Sequence, residues 1–193
     1  MPQPKKQRPP KVPTAQNLAN IALYYLARFA ASEASLRRVL QNRLRRAAMR
    51  LPDFAADKEA QTRLREAIEK IIEGHIKSGA VNDAAFAETK VRSLRRQGRS
   101  RRMIAQKLAV KGIQGDVLQA AFDQHEEGGD AEEIELKAAL ALARRRKLGP
   151  FRKVPADEDR RRKDFAALAR AGFSMGIVRR ALGAVPDDAL FDE

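Results

Sequence analysis

An apolar pattern that returns after sixty residues constrains the fold of this chain more than any other feature. Leu108–Phe122 aligns with Leu168–Leu182, and Gly112 falls on Gly172. In both stretches an apolar helical pattern stops at the glycine, one large apolar residue follows, and a short amphipathic segment begins. A pattern that recurs at a fixed interval is typical of an array of similar structural units. The sequence therefore predicts tandem helical repeats.

Helical spacing of apolar residues, at i, i+3, i+4 and i+7, continues through most of the chain. The chain has two Tyr, no Trp and few β-branched residues, so strands are not expected. Nine helices are predicted, namely about 14–29, one capped by Ser32 and ended by Pro52, about 57–78, one from 82 or 83 to 98, one capped by Ser100 and ended by Gly112, about 115–125, about 130–148, about 156–171, and one capped by Ser174 and ended by Gly183.

The predicted fold class is all-α, with nine helices arranged as three tandem three-helix repeats in an elongated, modular arrangement. The repeats cover about 14–80, 82–126 and 130–185, and the first is the loosest copy. Residues 1–13 hold five prolines and four cations, which predicts a disordered tail. Residues 186–193 form an acidic C-terminal tail.

Composition limits the possible partners more than it limits the fold. The 193 residues carry a formal net charge of +14, which favours an anionic partner such as nucleic acid or an acidic protein surface. The absence of Cys excludes disulfides and cysteine metal sites. No apolar run is long enough to span a membrane, and no apolar segment of a secretory signal follows the N-terminal cations. A cytoplasmic protein that does not bind membranes is expected.

The residues that could carry catalysis are few. His75 and His125 lie near predicted helix ends, 50 residues apart, and neither has an acid and a Ser at a catalytic spacing. The glycines are scattered singly and do not form a phosphate-binding loop. Acid pairs such as Glu132-Glu133 lie in first turns of helices, where they complement the helix dipole. We therefore expect neither an enzyme nor a bound metal or cofactor.

The most unusual charge pattern lies between Thr89 and Gly115, which contains nine Lys or Arg and no acid. Four arginines of the fourth predicted helix and the connection after it, Arg92, Arg95, Arg96 and Arg99, are expected on one outward face, although like charges at this spacing repel. The fifth predicted helix begins with Arg101 and Arg102, where the helix dipole disfavours cations. Free N–H groups and two arginines at one helix start are suited to a phosphate or carboxylate.

Further basic clusters lie around the connection between the seventh and eighth predicted helices. Because few aromatic residues alternate with the cations, contacts to the nucleic-acid backbone are favoured over base stacking. We expect sequence-independent binding to single- and double-stranded DNA. The candidate binding residues are Arg92, Arg95, Arg96, Arg99, Arg101, Arg102, Lys107, Lys111, Arg144, Arg145, Arg146, Lys147, Arg160, Arg161, Arg162 and Lys163.

Several of these segments resemble the RecX family of recombination regulators. The similar segments are "VNDAAFA" (Val81–Ala87), "GRSRRMIAQKLAVKGI" (Gly98–Ile113), "FAALARAGFSMGIVRRAL" (Phe165–Leu182) and "ALYYLARFAASEASLRRVLQNRL" (Ala22–Leu44). The connection after Leu44 is longer than in the family, and the proline-rich tail is an addition.

The resemblance implies a function as well as a fold. It implies three-helix repeats without catalytic activity, acting on the RecA recombinase filament on DNA and inhibiting its growth, ATP hydrolysis and strand exchange. A monomer is expected. The alternative is a sequence-independent DNA- or RNA-binding protein that acts through its basic helices. Which cations would contact RecA and which would contact DNA does not follow from the resemblance.

Overall fold

The computed structural model describes residues 11–126, 129–153 and 156–183. The two predicted tails lie outside these residues, apart from the last few positions of the first. Within the described ranges the chain forms ten α-helices, one 3-10 turn at Gly149–Phe151 and no strand. The helices are α1 (Ala15–Leu26), α2 (Glu33–Ala48), α3 (Pro52–Ala56), α4 (Lys58–Lys77), α5 (Asp83–Arg96), α6 (Arg101–Ala109), α7 (Gly115–Glu126), α8 (Ala131–Arg146), α9 (Glu158–Arg170) and α10 (Met175–Leu182). The all-α prediction is confirmed.

One additional helix appears where the sequence predicted only a connection. Pro52 was expected to end the second helix, but α2 stops at Ala48 and Pro52 begins the short helix α3. Proline favours a first helical position because it has no N–H group to leave unpaired there. Phe54 of α3 is buried, so this short helix adds an apolar side chain to the core. Phe29, predicted within the first helix, follows its end and is 56% exposed.

The chain divides into two compact units, residues 1–83 and 84–193. In the first unit, α1, α2 and α4 pack around one core that includes Leu18, Leu36, Leu40 and Ile68. Ser32 begins α2 by accepting a hydrogen bond from the Ser35 N–H. This cap is the one the sequence predicted, and it satisfies a donor that the helix leaves free.

The second unit contains two clusters of buried side chains. One lies among α5, α6 and α7 and includes Val91, Ile104 and Phe122. The other lies among α8, α9 and α10 and includes Leu142 and Leu168. The two three-helix groups correspond to the second and third predicted repeats, although the chain separates into two compact units rather than three. The division into three repeats therefore remains a prediction.

Equivalent helix ends occur in the two groups of the second unit. Gly112 and Gly172 both have left-handed backbone, with φ of 79° and 89°. After each glycine, the next residue donates its N–H to a carbonyl near the helix end, Ile113 to Leu108 and Phe173 to Leu168. Glycine adopts positive φ without the steric penalty that a Cβ brings. The prediction that these two glycines occupy equivalent positions is confirmed.

Close backbone contacts join the two groups. Gly98, just after α5, lies so near α8 that an added Cβ would stand 2.7 Å from the Leu142 nitrogen and 2.8 Å from the Ala138 oxygen. The Ser100 hydroxyl donates a hydrogen bond to the Ala171 carbonyl at 2.6 Å. An added Cβ at Gly172 would lie 2.7 Å from that hydroxyl oxygen. The second unit thus depends on small residues where its two groups touch.

Candidate functional site

The arginines of α5 do not share one outward face. Arg92 and Arg96 are exposed, whereas Arg95 is buried with a relative exposure of 6%. Arg99 follows the helix and is half-buried. Arg95 comes four residues after buried Val91, which places it on the inner side of the helix. The expectation that Arg95 is available on the surface is therefore wrong.

Arg95 lies inside a cluster of four charged side chains that connects α5, α6, α7 and α8. One nitrogen of its guanidinium donates to Glu126 at 2.9 Å, and another donates to Glu135. The second oxygen of Glu126 accepts from Arg101 at 2.6 Å. The Arg101 guanidinium also lies 4.2 Å from the centre of the Phe122 ring, which favours a cation–π contact. Two arginines and two glutamates thus neutralise one another, with Arg95 buried and the Arg101 side chain 36% exposed.

The start of α6 binds an anion that belongs to the chain itself. Ser100 caps the helix by accepting from the Met103 N–H at 3.2 Å. The Arg101 N–H donates to Glu135 Oε1 at 3.1 Å and to Oε2 at 3.3 Å. From the two arginines at this helix start, the sequence predicted contact with a carboxylate or phosphate of a binding partner. For Arg101 the structure supplies Glu135 and Glu126 instead, because α8 and the end of α7 pack against this helix start.

Most of the other cations of α5 and α6 are exposed, unlike half-buried Arg99. Arg92, Arg96, Arg102 and Lys107 are exposed, and no acidic side chain among the described residues pairs with them. Lys111 is also exposed. We name Arg92, Arg96, Arg102 and Lys107 the α5–α6 cations. They are exposed positive charges that no acidic side chain in the described ranges neutralises by a direct ion pair.

A second exposed group lies at the end of α8. Arg144, Arg145, Arg146 and Lys147 are all exposed, and none has an acidic partner in the described part of the chain. Arg144 rests over the Phe151 ring at 5.2 Å. Cations also suit the negative end of the α8 dipole, which gives these residues a structural use in addition to any binding.

The turn after α8 is held by a carboxylate that the sequence interpretation did not single out. Asp164 of α9 is 2% exposed and accepts from the Gly149 N–H and from Arg152 Nε, each at 2.8 Å. A second guanidinium nitrogen of Arg152 donates to the other oxygen. Burial by itself would raise the pKa of the Asp164 carboxyl, but the bonds from Arg152 and Gly149 outweigh it, and the pKa lies below its ordinary value. The sequence signal was an acid four residues before Leu168 on an apolar face.

The cations of α9 are placed differently from those of α8. Arg162 pairs with Glu158 at 2.7 Å, Lys163 with Asp159 at 2.6 Å, and Arg160 with Asp157 at 3.6 Å. Arg161 donates to the carbonyl of Ala156. These side chains are exposed, so the pairs are weak, yet each cation already has an acceptor beside it.

The structure brings no catalytic constellation together in the described residues. His75 and His125 are each half-buried at the end of a different helix, in different units. Burial, and then the charge of Arg95, lowers the pKa of His125. No group of three or more His, Asp or Glu in the described ranges could hold a metal ion. None of the described helices is long and apolar enough to cross a membrane.

An open groove of about 640 Å³ lies beside the buried charge cluster in the second unit. Its wall combines Arg101 and Arg102 with Glu126, Glu132 and Glu135, and its apolar lining includes Phe122, Leu118 and Ile177. Three arginines, Arg95, Arg101 and Arg102, and three glutamates line this groove, so its charges are balanced, although Arg102 itself has no acidic partner in the described residues.

The fold and the charge pattern together define a basic, all-helical protein built from three-helix groups. A family model for the second three-helix domain of RecX matches residues 82–121. The chain is 39% identical to the regulatory protein RecX of Myxococcus xanthus over 191 residues, which is 96% of each chain. It is 40% identical over 110 residues to the regulatory protein RecX of Agrobacterium fabrum, covering 57% of this chain and 55% of the relative. The chain belongs to the RecX family of regulatory proteins.

Solved structures agree with this assignment at the level of the fold. The crystal structure of RecX from Lactobacillus salivarius superposes with a TM-score of 0.60 at 20% sequence identity, covering 89% of this chain and 97% of that one. A second crystal structure of a regulatory protein RecX gives a TM-score of 0.60 at 21% identity, covering 89% of this chain and 72% of that one.

Proposed function

We propose that this chain binds the filament that the RecA recombinase forms on DNA and inhibits filament growth, ATP hydrolysis and strand exchange. In this proposal it catalyses no reaction and acts as a monomer in the cytoplasm. Membership of the RecX family supports the regulatory role, and the resemblance stated above supplies RecA as the partner.

The observation that carries the proposal is the separation of charge in the second unit. Arg95 and Arg101 are neutralised internally by Glu126 and Glu135. The α5–α6 cations are exposed, and among the described residues they have no acid beside them. A cation without an internal partner attracts an external anion without first breaking an ion pair. We therefore propose the α5–α6 cations and the end of α8, residues 144–147, as the contact surfaces for the filament.

The test compares RecA filaments with bare DNA. Co-sedimentation with RecA assembled on single-stranded DNA is expected to retain the chain at concentrations at which bare DNA retains little of it. Strand exchange and ATP hydrolysis by RecA are expected to fall over the same range of concentrations. Retention by bare DNA alone, with strand exchange unaffected, would contradict the proposal.

Charge variants locate the contact. Replacing Arg92, Arg96 and Arg102 by Gln is expected to weaken filament inhibition. The matched control replaces Arg63, Lys70 and Lys77 of α4 by Gln, which removes the same number of exposed cations from the first unit. If both triple variants lose the same amount of inhibition, net charge alone is responsible and the proposed surface is wrong.

A sequence-independent nucleic-acid-binding protein is the second candidate function. The observation that favours it is the run of four exposed cations at the end of α8. Binding of this kind would have a logarithmic salt slope of about −0.9 for each duplex phosphate neutralised and would not depend on sequence. This candidate is preferred if RecA adds nothing to retention by DNA. Retention that depends on RecA favours the first proposal.

A further inference from the structure

The turn after α8 places a lysine where other helices of this chain place glycine. Lys147 has φ of 55°, and it is the one non-glycine residue with positive φ in the described ranges. The turns that follow α5, α6 and α9 use Gly98, Gly112 and Gly172 at positive φ. A side chain in this conformation is strained relative to glycine, which has no Cβ. The chain therefore accepts strain at the one helix end where the left-handed residue is a cation.

Asp164 fixes the shape of this turn through hydrogen bonds to its buried carboxylate. Its buried carboxylate accepts from the Gly149 N–H at 2.8 Å and from two nitrogens of Arg152. Leu148, between Lys147 and Gly149, is 8% exposed and packs into the core of α8, α9 and α10. The backbone of the turn is thus held at two adjacent residues, 148 and 149.

The same contacts sort the cations of the turn into two sets. Arg152 is neutralised by Asp164, and Arg144 lies over the Phe151 ring. Arg145, Arg146, Lys147 and Lys153 are exposed, and no acid in the described part of the chain pairs with them. Protein interfaces usually bury an apolar centre. The large apolar side chains of this turn, Leu148 and Phe151, are buried and half-buried, so the outer edge offers charge without an apolar anchor.

We propose that the outer edge of this turn, with the cations Arg145, Arg146, Lys147 and Lys153, contacts the phosphodiester backbone of DNA and that Asp164 is its positioning residue. This inference rests on the proposed function, since it specifies where that function contacts DNA. Asp164 acts through Arg152 and the Gly149 N–H and does not touch the phosphates. Its negative charge aids the binding of an anion because it orders the cations.

The sign of the effect separates positioning from simple electrostatics. If only charge mattered, Asp164→Asn would raise affinity for DNA, because it removes a negative charge beside a basic surface. If Asp164 positions the turn, the same change lowers affinity. Asp159→Asn is the matched control, because it removes an equal charge from the same helix at an exposed site that does not hold the turn.

Affinity is measured by fluorescence anisotropy with a fluorescein-labelled duplex of arbitrary sequence, across a series of salt concentrations. For Asp164→Asn we expect weaker binding by roughly tenfold and a salt slope shallower by about 0.9 for each phosphate that the variant no longer neutralises. For Asp159→Asn we expect equal or tighter binding. Binding by Asp164→Asn that equals or exceeds the wild type overturns the proposal.

A second variant keeps the test valid if Asp164→Asn folds poorly. Arg152→Lys retains the charge but cannot bind the carboxylate through two nitrogens. Charge alone predicts unchanged affinity, whereas positioning predicts a several-fold decrease. Limited trypsin digestion reports the turn directly, and cleavage after Lys147 and Lys153 is expected to be faster in both variants than in Asp159→Asn. Unchanged cleavage and unchanged affinity in Arg152→Lys overturn the proposal.

Failure of this inference can be distinguished from failure of the proposed function. If the wild type restrains RecA and binds duplex, and both turn variants bind duplex as it does, only the inference about Asp164 is wrong. If the wild type binds neither duplex nor RecA filaments, the proposed function is wrong and the inference falls with it.

Discussion

Replacement of Arg95 by Met tests whether the buried charge cluster stabilises the second unit. The side chain of Arg95 is 4% exposed, and its two partners, Glu126 and Glu135, are 10% and 17% exposed. Methionine has a similar length and fills much of the same space. The guanidinium is removed, however, and two carboxylates then remain close together in a largely buried site.

The expected loss of stability follows from the partners that remain. Removing one member of a buried ion pair typically destabilises a protein by about 3–5 kcal/mol. Glu126 keeps Arg101, and Glu135 keeps the N–H at the start of α6, so the lower end of the range applies. For a unit of this size, about 3 kcal/mol corresponds to a decrease in Tm of roughly 10–20 °C.

The assay can follow each unit separately because both tyrosines, Tyr24 and Tyr25, lie in the first unit. Tyrosine fluorescence reports unfolding of residues 1–83, and far-UV circular dichroism reports all helices. The R95M variant is expected to shift part of the helical transition to lower temperature and to leave the tyrosine transition in place. The control is R63M, which removes an exposed partner of Glu59 and is expected to change stability by less than about 1 kcal/mol.

Two results would contradict this account. If R95M unfolds within about 1 kcal/mol of the wild type, the cluster does not supply the stability assigned to a buried ion pair. If R95M/E126Q/E135Q is no more stable than R95M, unpaired carboxylates are not the cause of the destabilisation. The triple variant is expected to recover part of the stability because it removes the charges that R95M leaves without their central partner.

Three further predictions concern other positions in the second unit and one control in the first. Gly98→Ala should lower Tm, because φ at Gly98 is 69° and the new Cβ would lie 2.7 Å from a backbone nitrogen of α8. The control is Gly74→Ala within α4, which has open space around it and should raise stability by about 0.5–1 kcal/mol. The wild type should have a larger free energy of unfolding than Asp164→Asn, and this difference should be constant above the ordinary aspartate pKa. It should disappear as the pH falls through the lowered pKa of Asp164. Calorimetry of both proteins from pH 7 to pH 2 measures it. Arg102→Glu should weaken inhibition of RecA strand exchange without a decrease in Tm. Arg101→Glu should lower Tm because it places a third acid beside Glu126 and Glu135. Equal melting temperatures for the two variants would contradict the assignment of Arg101 to the charge cluster and of Arg102 to the exposed cations.

Local sequence chemistry was sufficient to predict most of the helix boundaries. Ser32, Ser100 and Ser174 all cap helices, with their hydroxyls accepting from backbone N–H groups three residues later. Gly112 and Gly172 have the positive φ that the repeat required. Caps and terminal glycines depend on contacts within a few residues, which is why a sequence pattern can reveal them. The exceptions were the end of the first helix, which stops at Leu26 before Phe29, and Pro52, which can either end one helix or begin another.

The candidate site was harder to predict because its decisive contacts are distant in sequence. Arg95 comes four residues after Val91, a spacing that favours burial, but an arginine is rarely buried without a partner. Its partners Glu126 and Glu135 are 31 and 40 residues away, on helices whose packing no local pattern specifies. Asp164 likewise depends on a turn that begins fifteen residues before it. An ionisable residue at a core position of a helical stripe is the signal that would have identified both.

The cations of α9 are paired with acids, unlike those at the end of α8, and this difference affects how strongly each group attracts DNA. Arg160, Arg162 and Lys163 each have an acid beside them on α9 or at its cap, whereas Arg145 and Arg146 have none in the described residues. A phosphate that approaches α9 meets neighbouring carboxylates that repel it, and within a Debye length of about 8–10 Å salt does not screen that repulsion.

Equal numbers of cations should therefore differ in effect. Replacing Arg145 and Arg146 by Gln should weaken duplex binding more than replacing Arg160 and Arg162 by Gln, although both variants lose two charges. Anisotropy titrations at low salt measure the difference, and melting curves check that both variants remain folded. If the α9 variant loses as much affinity as the α8 variant, net charge determines binding, and whether a cation already has an acid beside it makes no difference.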